Sequence, residues 1–222
     1  MAIKRFRVIK PEIRVLGIDD GKHVFRSKTR VPIVGVVYRG GLWLDGVMST
    51  SVLVDGFDAT EAVSKMITSS PHYRQLRVIM LSGVTYAGFN IIDVVALNET
   101  TKLPVIAITR EKPNLDRIRL ALSNLERSEE RFNTLLKAGE IVNVKINGNK
   151  IFMQTAGILC EDAQKIVALT STRSSIPEPL RVAHLIASGT SFCDDAFRKS
   201  LKATKLRESK TDEGVRKNGI LS

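Results

Sequence analysis

Apolar residues alternate with small or polar ones from Ile13 to Asp19, and the run closes on Gly17-Ile18-Asp19-Asp20-Gly21, the pattern of a half-buried strand entering a turn. Val31 to Tyr38 and Leu42 to Asp55 are two further β-rich runs. Arg39-Gly40-Gly41 joins them with the glycines that a short hairpin connection needs. Three consecutive antiparallel strands therefore open the fold. Ala62, Val63, Met66 and Ile67 then recur at helical spacing behind Asp58-Ala59-Thr60-Glu61. An acid ahead of the first turn with a Glu three residues on reads as a capping box, and the helix is expected from about Ala59 to Ser69.

Gln75 to Leu81 predicts a continuous apolar strand, Phe89 to Leu97 a helix, and Leu103 to Thr109 another strand. This β-α-β rhythm implies two parallel strands linked by a right-handed crossover. Charged amphipathic helices follow over Asn114 to Glu126 and Ser128 to Lys137. Asn147-Gly148, set between the runs Glu140 to Ile146 and Lys150 to Gln154, predicts a type I′ hairpin. Two more helices are expected over Leu159 to Leu169 and Glu178 to Ala187. The fold class is α/β: a mixed sheet of three antiparallel strands and two parallel β-α units, with an additional C-terminal hairpin and helices. Residues 1–195 read as one domain, and 196–222 as a basic tail of low hydrophobicity.

A hydrophobic share of 43% supplies enough apolar material for a core, which excludes a chain disordered throughout. No apolar run approaches the roughly 18 to 20 residues that a membrane span requires. Met1 to Lys10 interleaves charge with apolar residues, unlike a signal peptide. Cys160 and Cys193 lie apart without metal-ligand spacing and suit buried free thiols in a reducing cytoplasm. The net charge of +11 is concentrated at the ends. Residues 1–14 hold five Lys/Arg and one Glu, and residues 198–222 hold eight Lys/Arg and three Asp/Glu, which leaves the body at only +2. Such termini suit phosphate contacts with nucleic acid, and equally suit solubility.

Acids gather where strands end. Asp19 and Asp20 close the first strand, Asp55 the third with Asp58 and Glu61 after it, and Asp93 follows the loop Gly83 to Asn90. If those ends converge on one sheet edge, the carboxylates can hold hard divalent cations such as Mg²⁺ or Mn²⁺, and metal-activated water can cleave a phosphodiester. Each acid also has a structural reading: Asp58 and Glu61 as a capping box, and Asp19, Asp20 and Asp55 as turn residues before glycines. His184, among apolar helical residues, reads by default as a hydrogen-bonded core histidine. The loop Gly83 to Asn90 lacks Gly-Lys-Ser/Thr and is no P-loop; its glycines point to tight packing at the sheet edge.

Gly17-Ile18-Asp19-Asp20-Gly21, Val54 through Glu61, Gly83 through Asn90 and Pro177 through Ala187, four motifs in order across about residues 6–190, resemble those of the mainly archaeal endonuclease dU-like family. That family in turn resembles endonuclease V, a Mg²⁺-dependent enzyme of RNase H-like fold that cleaves nucleic acid containing inosine or other deaminated bases. The resemblance implies an RNase H-like sheet with Asp19 on a central strand as a metal ligand. It implies a second ligand from Asp55 or Asp58, and a helix-borne histidine at His184. It also implies an aspartate at the position of Ser82, where this chain has only a neutral hydroxyl. Either the site is weakened, or Asp20 or Asp93 supplies the missing charge. The region 29–38 carries Pro32 but lacks the Pro-Tyr wedge of endonuclease V, so deaminated-base specificity does not carry over.

The expected catalytic set is thus Asp19, Asp20, Asp55, Asp58 and His184, with Asp19, Asp55, Asp58 and Ser82 toward a metal. The leading function is a metal-dependent endonuclease acting on DNA or RNA. The alternatives are a non-catalytic nucleic-acid-binding protein of the same fold and a protein-interaction scaffold. Self-association is left open.

Overall fold

The structure, a computed structural model, describes residues 3–24 and 27–191; the basic tail and Cys193 lie outside the described residues. One seven-stranded sheet runs in the order β3-β2-β1-β4-β7-β9-β8. Its opening meander is β1 (Arg14–Asp20), β2 (Arg30–Arg39) and β3 (Trp43–Leu53), paired antiparallel. Then β4 (Val78–Ser82) lies parallel to β1, and β7 (Val105–Thr109) parallel to β4. The short strands β5 (Thr85–Tyr86) and β6 (Asn90–Ile91) form a separate hairpin between them. The expected mixed sheet is present, with β1 interior. The C-terminal hairpin, β8 (Val142–Ile146) and β9 (Asn149–Ala156), extends this same sheet antiparallel to β7. Asn147 and Gly148 at its tip both have positive φ, as a type I′ turn requires.

Alternation along the strands divides the core into layers. Leu16, Ile18, Ile79 and Leu81 face α1 (Ala59–Thr68) and α2 (Val94–Thr101). Val15, Val78, Met80 and Ile106 face the opposite layer, which holds α5 (Cys160–Thr170). The helices α3 (Leu115–Leu122) and α4 (Ser128–Leu136) join β7 to the hairpin. The last described helix, α6 (residues 178–191), packs Ala183 and Ala187 on Val34, Val36 and Tyr38 of β2.

Three local expectations are corrected. Residues 75–77 precede β4: Tyr73 to Gln75 form a 3₁₀ turn, anchored by the Tyr73 hydroxyl on the Thr101 carbonyl at 2.7 Å. Helix α2 begins at Val94 rather than near Phe89, because Asp93 accepts the amides of Val95 and Ala96 and starts the helix there. Asp58 and Glu61 form no capping box. Asn90 reaches across to accept the Ala59 amide at 3.0 Å, and its Nδ2 donates to Asp58 at 2.7 Å. A cap supplied from 31 residues away leaves no local signal.

Candidate active site at the ends of β1 and β4

Two glycines set the position of Asp19. Side chains at 17, 19 and 21 leave β1 on one face, and a Cβ on Gly17 would collide with the Pro179 carbonyl, one on Gly21 with Ser191 and Pro32. Helix α6 therefore lies directly on the strand. Two residues along a strand advance about 6.6 Å and four along a helix about 6 Å, so the two elements stay in step. The Leu180 amide meets Gly17, His184 meets Asp19, and the Ala187 carbonyl meets Gly21. His184 Nδ1 stands 2.9 Å from Asp19 Oδ2. Its ring remains 64% exposed, so it is no core histidine. The carboxylate at Nδ1 favours the tautomer that leaves Nε2 unprotonated toward solvent.

Asp19 itself is only 6% exposed. Burial and the neighbouring Asp20 charge raise its pKa to about 6, although the Asp20 amide and His184 favour the ionised form. Asp20 leaves the strand on the other face, toward the loop 83–90. There its Oδ2 accepts the Ala87 amide at 2.6 Å and lies 3.9 Å from His23 Nδ1. Burial raises its pKa too.

Ser82 closes β4 beside this pair. The wholly buried Tyr86 fixes the spacing: its hydroxyl donates to the Ile18 carbonyl at 3.0 Å and accepts the Ser82 amide at 3.1 Å. Asp19, Ser82 and His184 open into a cavity of about 450 Å³ with apolar walls at Ile108, Ile176 and Leu180 and a rim at Thr109, Arg110 and Arg181. A second opening next to it is lined by Asp19, Asp20, Lys22, His23, Ser82 and His184, among others. Arg181 is oriented by Glu178, at 2.6 and 2.9 Å.

Asp55 and Asp58 line neither opening. Asp55, at φ +52°, accepts the Phe89 amide at 2.8 Å and fills the space above Gly88, where a Cβ would strike its carboxylate. Asp58 accepts the Leu53 amide at 3.2 Å and pairs with Arg30 at 3.0 Å. Arg131, 4% exposed, ties these loops together by donating to the carbonyls of Asp55, Gly56, Phe89 and Glu126. Asp93 is occupied by its capping bonds and by Lys137 at 2.8 Å. Glu61 is exposed on the first turn of α1.

The structure thus brings Asp19, Asp20, Ser82 and His184 together and holds Asp55, Asp58 and Asp93 in internal bonds. Among the described residues no group of three or more His, Cys, Asp or Glu is arranged to hold a metal ion. The available oxygens, one buried carboxylate with a second across the pleat and a hydroxyl, are hard donors. They fit a single Mg²⁺- or Mn²⁺-sized cation that keeps most of its waters. They do not fit a closely spaced metal pair. The sequence reading missed Arg131, whose charged helix looks like a solvated one, and Arg110 and Ile176, which only the fold brings to the cavity. Tyr86 lay within a quoted motif.

A mixed sheet with its acid at the end of the central strand, covered on one face by a C-terminal helix that carries a histidine, is an RNase H-like α/β domain. The endonuclease dU family model matches residues 11–191, and the chain belongs to that family. A UPF0215 protein of Methanothermobacter thermautotrophicus is 51% identical over 188 residues, covering 84% of this chain and 92% of the relative. A solved structure of a protein of unknown function from Archaeoglobus fulgidus superposes with TM-score 0.73 at 35% identity, over 80% of this chain and 98% of the other. Endonuclease V of Ciona intestinalis, solved with a 24-mer DNA containing an inosine followed by a ribo-adenosine, superposes with TM-score 0.51. It covers 86% of this chain and 87% of the other, and its 16% identity establishes likeness of fold alone. No helix among the described residues is long and apolar enough to cross a membrane.

Proposed function

We propose that this chain is a metal-dependent endonuclease acting on nucleic acid, with a site for one weakly held cation. The observation that carries this reading is the buried Asp19 carboxylate, bonded to an exposed histidine at the mouth of a cavity beside Ser82. Asp19 would hold the cation, Asp20 would add negative charge from across the strand, and Ser82 would contribute a neutral oxygen. When bound, a divalent cation lowers the pKa of attached water and offsets charge on a phosphodiester. Asp19 orients the His184 ring, and Nε2 is then placed to accept a proton from a water at the cavity mouth. Arg110 and Arg181 on the rim suit phosphate oxygens.

The test is titration calorimetry with MgCl₂ and MnCl₂, alongside cleavage of single-stranded, duplex and inosine- or uracil-containing DNA and RNA. Metal-dependent cleavage that disappears in Asp19→Asn and His184→Ala is the expected result. A specific observation also favours a second reading, a nucleic-acid-binding protein without catalysis: Ser82 leaves the site one carboxylate short. Nucleic-acid binding with neither metal binding nor cleavage would establish that reading and overturn the first.

A further inference from the structure

At the end of the sheet opposite Asp19, cations gather without matching acids. Arg14 opens β1 and Arg77 immediately precedes β4, the two parallel strands whose other ends carry Asp19 and Ser82. The Arg77 amide donates to the Arg14 carbonyl at 3.0 Å, so these two cationic residues stand side by side. Five residues of β1, about 17 Å, separate Arg14 from Asp19. Together with Lys10, the two arginines border a cavity of about 300 Å³ that shares no lining residue with the one at Asp19.

The charge of this cavity is not balanced from within. Glu12 is the one acid on its lining among the described residues, and it lies 3.8 Å from Arg39. Asp45 is divided between Arg14 at 3.2 Å and Arg39 at 3.0 Å. Two acids thus offset Arg14 and Arg39, and among the described residues neither Lys10 nor Arg77 has a carboxylate within ion-pair distance. Arg77 is fixed by its own backbone: Nη1 donates to the carbonyls of Arg74 and Leu76 at 3.1 and 3.0 Å. Nε and Nη2 are left without a protein acceptor among the described residues. Lys4 stands nearby, and burial together with the Arg77 charge holds its pKa below the ordinary lysine value. The N-terminal segment that brings these lysines is itself anchored. The Lys4 amide donates to the Gly157 carbonyl at 2.9 Å, the Phe6 amide to Asp162 at 3.1 Å, and the Ile13 amide to the Lys10 carbonyl at 3.0 Å. Phe6, Val8 and Ile13 give the cavity an apolar wall.

We propose that this cavity binds a phosphate group of a nucleic-acid backbone, as an anchoring site separate from the one at Asp19. Charge and shape select the occupant. Cations held side by side without counterions repel one another, and a phosphate relieves that repulsion while its oxygens accept the open N–H groups of Arg77 and the Lys10 ammonium. The apolar wall offers a surface to a sugar or base, which inorganic phosphate lacks. Contacts of this kind hold the polymer without reading its sequence. A phosphate bound so far from Asp19 is not the one being cleaved, so the site adds affinity and leaves the chemical step alone. The inference rests on nucleic acid as the partner proposed above, and not on a metal at Asp19.

The test is fluorescence anisotropy of the full chain with labelled single-stranded DNA and RNA, in EDTA and across a salt series. Wild type is compared with Lys10→Ala, Arg77→Ala, the double variant, and Lys65→Ala, which removes a cation from α1 in another layer. The Lys10 ammonium makes no bond within the fold among the described residues, so Lys10→Ala stays informative if Arg77→Ala unfolds. The expected result is a loss of about tenfold or more in affinity for both polymers in the double variant, with a salt slope shallower by about 1 to 2. Lys65→Ala should do neither, and kcat for metal-dependent cleavage should hold. Affinities and slopes in Lys10→Ala and Arg77→Ala that match Lys65→Ala overturn the proposal. So does calorimetric binding of inorganic phosphate or a nucleoside monophosphate that these variants abolish while oligonucleotide affinity is unchanged, which assigns the cavity to a small phosphate compound. A wild type that binds no oligonucleotide overturns this site and the proposed function together. Oligonucleotide binding that the variants lose, in a wild type that never cleaves, upholds the site and removes only the catalytic reading.

Discussion

Asp19 and Asp55 each close an apolar strand, each stand within two residues of a glycine, and each border the loop 83–90. Their surroundings differ in kind. Around Asp55 everything is answered from within: its carboxylate takes the Phe89 amide, its carbonyl takes Arg131, and Asp58 beside it is shared by Leu53, Asn90 and Arg30. Asp19 is buried next to another acid and facing a cavity, with an exposed histidine as its counterpart. The difference teaches that acid position along a strand does not decide its use. What differs is the setting: Asp19 takes the Asp20 amide and His184 yet faces a cavity, whereas Asp55 is turned onto its own loops.

The sharpest way to break this contrast is through activity. Asp19→Asn should lower metal-dependent cleavage by at least about 100-fold, whereas Asp55→Asn, in the folded fraction, should lower it far less. Equal losses in a side-by-side assay would erase the distinction. Stability should show the reverse order. Arg131→Met strands four loop carbonyls and should cost about 3 kcal/mol in urea unfolding, and a cost below about 1 kcal/mol would mean the loops are not held as described.

A pH series sharpens the same point. Asp19 keeps its proton to about pH 6 when folded and loses it near 3.8 when unfolded, so without metal the stability it contributes falls as pH rises between those values. The fall is on the order of 3 kcal/mol, complete somewhat above pH 6, and should be absent from the unfolding free energies of Asp19→Asn. The smallest effect concerns Ser82. Ser82→Asp restores a carboxylate at the end of β4 and should tighten Mg²⁺ binding about tenfold in calorimetry. Unchanged affinity would show that position 82 does not face the cation.

Strand order was legible because alternation marks β1, continuous β-rich apolar runs mark β2, β4 and β7, and short β-α-β connections leave few topologies. Part of the site was legible too. The motifs Gly17 to Gly21 and Pro177 to Ala187 mark Asp19 and His184 through the family resemblance, but the close approach of helix to strand at Gly17 and Gly21 is not read from them. What stayed hidden depends on long-range partners. Asn90 caps α1 from 31 residues away, and Arg131 reaches back 75 and 76 residues to Gly56 and Asp55. Neither leaves a trace in local spacing, and that is why Asp58 and Glu61 look like a self-contained cap.

The 165-residue separation between Asp19 and His184 has a consequence for synthesis. A ribosome adding about 5 to 20 residues per second makes the strand carrying Asp19 some 10 to 30 s before the histidine that meets it. Throughout that interval the nascent sheet lacks both His184 and the cavity wall at Ile176 and Leu180. The pocket at Asp19 is therefore completed only when the late helix docks.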